Sequence, residues 1–149
     1  MTDKNLAGTE LPGGEYSVKR WMSFLWADAT RNEDDVYRYA EESDQEGEGV
    51  YLPPEFATQI AVAGAGQSIE GILNEMGLDW DGGVFYAGQE LTFHQALTSE
   101  MSFSVTGEIS EVEEKEGDSG QFYLVSIEYH AHDDDDEPVF DSTMKIIAR

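Results

Sequence analysis

Apolar residues recur along the chain with two periods, and the change falls at Gly82-Gly83. Before it, Trp21, Phe24, Leu25 and Ala29 stand three to four residues apart, the spacing that gives a helix one apolar face. Val36, Tyr39 and Ala40 continue the pattern after the polar break Thr30-Arg31-Asn32-Glu33, which predicts two short helices with a kink between them. Glu41 to Gly49 holds no apolar residue and two glycines, so it reads as a solvated loop. Pro12, Gly13 and Gly14 precede Tyr16 and Val18, so residues 1–14 read as a flexible arm and 15–149 as the folded domain. In Val50-Tyr51-Leu52-Pro53-Pro54-Glu55-Phe56 the prolines suit a first helical turn, because they lack N–H groups that have no partner there anyway. One central helix should follow, with Ile60, Gly64, Ile69, Ile72, Leu73 and Met76 near one face and Gly77 as its stop. Its small residues, Ala61 and Ala63 to Gly66, allow another backbone or a ligand to come close.

Past Gly83 the period becomes two. Leu91 and Phe93 alternate, as do Met101, Phe103, Val105, Gly107 and Ile109, and long alternating runs fill Phe122 to Ala131 and Val139 to Ala148. These are antiparallel strands joined by polar hairpin turns, Gly117-Asp118-Ser119-Gly120 and Asp133 to Pro138. A helical first half and a long-stranded second half give an α+β protein, one antiparallel sheet holding one long helix.

Charge narrows the partners. Among 149 residues there are 32 acidic and 8 basic side chains, a net charge of −24 with histidines neutral. That field repels nucleic acid and anionic lipid, which leaves another protein as the macromolecule most easily accommodated. The carboxylates are spread along nearly the whole chain, as in a halophile's proteins; at about 1 M salt the Debye length falls to roughly 3 Å and such density is tolerated. Loss of salt should then loosen the fold. No run approaches the ~18 apolar residues that span a bilayer, and the opening MTDKNLAGTELPGG lacks the order of a signal peptide, so a cytoplasmic location is expected. Without cysteine there is no disulfide framework, thiolate zinc site or cysteine nucleophile.

Several residues carry candidate chemistry. His130-x-His132 puts two rings on one strand face, and Glu137 follows at a metal-motif distance, but flanking glycines are missing and two surface histidines before an acidic turn fit better. His94, beside Phe93, has the chemistry of a base but no carboxylate assignable from sequence. Asp133 to Asp136 lack the spacing of a calcium loop and read as a hairpin tip. No metal site is expected. Arg20, Arg31, Arg38, Lys145 and Arg149 are scarce cations, the groups that an anionic ligand would need.

The order of elements resembles the hot-dog fold and, within it, the N-terminal-type domain of MaoC-like hydratases and dehydratases acting on acyl thioesters. Tyr16-Ser17-Val18 followed by Phe24, Ala27 and Ala29-Thr30-Arg31-Asn32 resembles the family's opening strand and first helix. Val50 to Phe56 resembles its A-P-P-x-F lead-in to the central helix, and Tyr86 to Leu97 its H-G-E-Q-x-x-x-Y-x-R-P-L strand. Active members carry Asp and His in a G-D-x-N-P-x-H stretch, the pair that adds water to an enoyl thioester or removes it from the 3-hydroxy form. With Asn32 at the motif Asn, Thr30 stands at the Asp position and Asp35 at the His position, so the dyad is absent. The family's Pro-Leu-x-x-Gly-Asp turn is also altered, to Ala96-Leu97-Thr98-Ser99-Glu100.

Two-subunit dehydratases resembling those of mycolic-acid synthesis pair such a non-catalytic chain with a catalytic one. The resemblance, including Tyr37 five residues after Asn32, implies a substrate-shaping subunit for an acyl-CoA or acyl-carrier thioester, paired with a MaoC-like catalytic chain or with itself, and no cofactor. Asn32, Tyr51, Pro54, Phe56 and Ile60 are the candidate substrate contacts, each with a plainer reading: Asn32 as a helix cap or turn, the others as core and helix-start residues. Phe56, Ile60 and Trp21 are expected to line one apolar channel beside the central helix. The rivals are a homodimeric hydratase or thioesterase using Asp28 or Asp35 as a buried acid, and a thioester-binding protein without turnover.

Overall fold

The computed structural model describes residues 6–39 and 49–149. Among the described residues six antiparallel strands form one sheet: β1 (Thr9–Glu10), β2 (Gly14–Val18), β3 (Val84–Phe93), β4 (Met101–Gly117), β5 (Gly120–His132) and β6 (Pro138–Ala148). Their order is β1-β4-β5-β6-β3, with β2 also on β4. Alternation sets the pairing, because a slip of one residue would turn every apolar side chain to water. Both expected hairpins form, Gly117 opposite Gly120 and His130 opposite Asp141. Phe103, Val105, Ile127, Tyr129, Phe140 and Ile146 point inward and are buried.

The arm expected over residues 1–14 is, from Leu6 onward, part of the sheet's margin. Gly8 N donates to Ile109 O at 2.7 Å, Leu11 N to Gly107 O at 2.8 Å and Gly13 N to Ala65 O at 2.8 Å. Leu11 is buried, which contributes about 2 kcal/mol. Four glycine and proline positions, Gly8 and Pro12 to Gly14, masked this pairing, whose partner strand lies about a hundred residues away.

The central helix is broken. A 3-10 turn (Pro54–Phe56) leads into α2 (Ala57–Gly64), and α3 (Ile69–Glu75) follows separately. Gly66 stands between them at φ 81°, where a Cβ would meet Gly13 O at 2.5 Å, and Ser68 Oγ accepts the N–H of Gly71 to start α3. The room left by the small residues is filled by the sheet: a Cβ on Gly64 would lie 2.6 Å from Val105 Cγ2. Ile60, Ile72, Leu73 and Met76 complete the core.

The first helix, α1 (Arg20–Ala29), turns the other way from the expectation. Ser23 and Ala27 are buried, whereas Trp21 and Leu25 are 59% and 55% exposed. Ser23 Oγ reaches the carbonyls of Tyr37 (2.8 Å) and Tyr51 (3.0 Å), and small side chains on that face let the helix approach the loops that hold them. The second predicted helix is one 3-10 turn, Asp35–Tyr37. Ala40 and most of the predicted 41–49 loop lie outside the described residues. Edge strand β3 is tied down by Gln89, which accepts from Thr58 Oγ1 at 2.8 Å and donates to Ser142 Oγ at 2.8 Å. No helix among the described residues is long and apolar enough to cross a membrane.

Candidate functional site

At one end of the sheet a strand-like crossing opens a cleft. Val50 N donates to Ser99 Oγ, Leu52 N to Leu97 O and Ser99 N to Val50 O, all at 2.9 Å, and Tyr51 bridges to Thr98. Tyr51 N donates to Val36 O at 3.2 Å, which brings the 3-10 turn alongside. The resulting cleft has a volume of about 500 Å³. Val36, Tyr37, Tyr51 and Pro54 form one wall, and Phe93, His94, Ala96 and Leu97 the other. Burial, with the charges of Asp34 and Glu55 adding, raises the pKa of the Tyr37 phenol, so its hydroxyl keeps its proton.

His94 follows the last residue of β3 and is fixed by its N–H to Val139 O at 2.8 Å. Its Nε2 lies 2.6 Å from Asp141 Oδ2, and His130 Nδ1 lies 2.6 Å from Asp141 Oδ1. One carboxylate on β6 thus joins imidazoles from β5 and from the end of β3. The bond from His130, reinforced by that from His94, holds Asp141 below the usual carboxylate range. The carboxylate that sequence reading leaves unassigned for His94 is therefore Asp141. A hairpin centred between Asp135 and Asp136 places residue 130 opposite residue 141, and that symmetry was the available signal.

The expected contacts separate. Tyr51 and Pro54 share the cleft. Phe56 is buried against Trp26, ring centroids 5.0 Å apart, and borders a different groove beside α1 with Trp21, Leu25 and Gln59. Ile60 is wholly buried in the core, so Trp21, Phe56 and Ile60 line no common channel. Asn32 is a turn residue: its Oδ1 accepts from Asp34 N at 3.0 Å, and its carbonyl takes Arg38 Nη2 at 2.7 Å and Nε at 3.0 Å. Thr30 ends α1, its hydroxyl donating to Trp26 O at 2.8 Å. Asp35 is exposed at the start of its turn, and Asp28 is exposed beside Arg38 Nη1 at 3.7 Å. The buried acid that the self-sufficient alternative requires is found at neither position.

The acidic hairpin tip is self-capped: Asp133 Oδ1 accepts from Asp135 N at 2.9 Å and Glu137 N at 3.0 Å. Its Oδ2 accepts from Gln95 Nε2 at 3.0 Å. Among the described residues no three of His, Asp or Glu converge as a set that could hold a metal ion, and His130 is engaged with Asp141 rather than with His132.

An antiparallel sheet packed on a helical layer, with the cleft at its end, defines a hot-dog protein. The family model described as FAS1-like, dehydratase domain region, matches residues 5–142, and the chain belongs to that family. Its fold is similar to a subunit of the ChsH1–ChsH2 complex of Mycobacterium tuberculosis, with 18% identity, 93% of this chain and 87% of that one covered, and a TM-score of 0.70. It is equally similar to a chain of the C-terminally truncated HadBC (3R-hydroxyacyl-ACP dehydratase) complex of the same organism, at 18% identity, 95% and 96% coverage and TM-score 0.70. R-hydratase PhaJ1 of Pseudomonas aeruginosa matches at 17% identity, 95% and 81% coverage and TM-score 0.66. No curated protein matches the chain.

Proposed function

We propose that the chain is the substrate-shaping subunit of an (R)-specific enoyl-CoA hydratase or 3-hydroxyacyl-thioester dehydratase, and that a MaoC-like catalytic subunit supplies the Asp–His dyad. The observation that carries this is the state of the dyad positions. The Thr30 hydroxyl is spent on the end of α1 and Asp35 faces solvent, while a cleft lined by Tyr37, Tyr51, Pro54 and Phe93 stands ready for an acyl chain. Two similar structures are of two-protein complexes. Strand β3 offers the partner an open sheet edge, with Phe85, Tyr86 and Phe93 exposed. The setting we propose is cytoplasmic and salt-rich, in keeping with the charge of −24.

The test is hydration of crotonyl-coenzyme A in concentrated salt, by the chain alone and after co-expression with the MaoC-like protein encoded nearest to it. Turnover only in the mixture supports the reading. Turnover by the chain alone overturns it in favour of a self-sufficient homodimer, with the proton carrier sought at His94, the imidazole that Asp141 holds at the cleft. Binding of the thioester without turnover under either condition leaves a non-catalytic binding protein.

A further inference from the structure

Helix α1 is chemically unlike the rest of the surface. The chain carries 32 acidic side chains in 149 residues, yet the ten residues of α1 hold only Asp28, whose carboxylate has Arg38 Nη1 3.7 Å away. Residues 19–32 set three cations, Lys19, Arg20 and Arg31, against that one carboxylate. Lys19 is paired with Glu100, but neither the Arg20 nor the Arg31 guanidinium meets a carboxylate among the described residues. The outward side of the helix shows Trp21 and Leu25, four residues apart and exposed, with Phe24 on its flank. Both stand on the rim of a groove of about 330 Å³ that Tyr16, Trp26, Phe56 and Gln59 also line. An aromatic patch of this kind, poor in carboxylates, has the make-up of an interface core.

We propose that α1 is the contact through which two copies of this chain associate, the rim of each helix seated in the groove of the other about a twofold axis. An isologous contact needs a protrusion and its recess on one patch, and Trp21, Leu25 and the groove beside them supply both. Charge supplies the register. Phe24 lies midway between Arg20 and Asp28, so two helices laid antiparallel across an axis near Phe24 set each Arg20 beside the other copy's Asp28. On most of the surface two chains of charge −24 meet carboxylate to carboxylate; at α1 the centre is apolar and the facing charges are opposite. The helix follows β2, which pairs with β4, whereas β3 is the far edge of the sheet. The contact therefore leaves β3 open for the catalytic subunit and joins two such pairs. It does not depend on the reading of the cleft as an acyl-thioester site.

Light scattering of the full chain in concentrated salt, after size-exclusion chromatography, tests this. Leu25→Asp places a carboxylate beside the axis and should halve the mass of the wild-type particle. Because Leu25 is exposed within one chain, the circular dichroism of the variant should match that of the wild type. The chain has no cysteine, so Leu25→Cys introduces a lone thiol. Helices packed about 8–10 Å apart bring two such thiols within disulfide reach, and mild oxidation should yield a linked dimer on denaturing electrophoresis. Asp118→Cys, equally open to solvent in the turn between β4 and β5, should remain unlinked. Equal mass for wild type and Leu25→Asp, or linkage no better at residue 25 than at residue 118, overturns the inference and leaves the proposed function standing. A Leu25→Asp chain that keeps the wild-type mass but no longer assembles with the MaoC-like protein also overturns it, by assigning the helix to that protein instead.

Discussion

Tyr129 and His130 are neighbours on β5 and face opposite ways. Tyr129 points to the helices, wholly buried, with a hydroxyl that finds no partner among the described residues; burial pushes its pKa up to about 12. His130 points outward, half in water, and is bound to Asp141. The inner face of the sheet is governed by space and the outer by charge. The inner face therefore sets the architecture shared with other hot-dog chains, and the titratable cluster of His94, His130 and Asp141 lies on the outer face, with His94 at the cleft.

The contrast can be broken most severely from the inner side. Gly64→Val drives a side chain into Val105 and should cost about 3 kcal/mol, read as a lowered denaturation midpoint with an unchanged slope. At the end of the 3-10 turn, Arg38→Ala removes two hydrogen bonds to the Asn32 carbonyl and a cation stacked 5.3 Å over Phe24; a loss of about 2 kcal/mol is expected, with faster amide exchange confined to residues 31–38. Tyr129→Phe should go the other way, adding up to about 1 kcal/mol, because it deletes a buried hydroxyl without a partner. Its pH dependence sharpens the test. A folded pKa of about 12 against ~10 unfolded means that wild type loses stability as pH rises from ~10 toward 12, whereas the Phe variant lacks that loss.

Asp141→Asn should have the smallest effect on stability, below about 1 kcal/mol for so exposed a cluster. Because the native carboxylate titrates below its ordinary value, its contribution is present above pH ~4 and disappears as pH falls through the native pKa. The two proteins should converge in acid. A gap that persists there would mean that packing, not the ionised carboxylate, ties His94 to β6.

The same opposition explains what was legible in the sequence. Period-two alternation in β4, β5 and β6 records one buried face, so the strands and both hairpins could be read directly. The small-residue run from Ala61 to Gly66 fitted a continuous helix equally well; its break depends on Gly13 docking onto Ala65, a contact between distant segments. In α1 the bulky residues form the apparent core stripe, yet tertiary hydrogen bonds to Ser23 turn the small side inward. Tyr51 and Pro54 reached the cleft because they flank the helix lead-in, but Asn32 was placed by likeness and Ile60 by the room expected beside the central helix, and local turn chemistry and core packing took them elsewhere. Asp141 was invisible because its value lies in register, not in type.

Strand β4 runs well past its neighbours on one side. β1 pairs it at Glu108–Ile109 and β2 at 101–105, and no described strand covers that side from Ser110 to Gly117. A bare flank of this kind invites another chain to add a strand and seed a fibril. Here it carries Glu111, Glu113, Glu114 and Glu116, so any copy that tried to extend the sheet would meet its own carboxylates. The guard works only while those groups are ionised: in acid, or with the four glutamates neutralised by substitution, the ribbon should become adhesive, and light scattering together with dye-binding assays for cross-β structure would register the change.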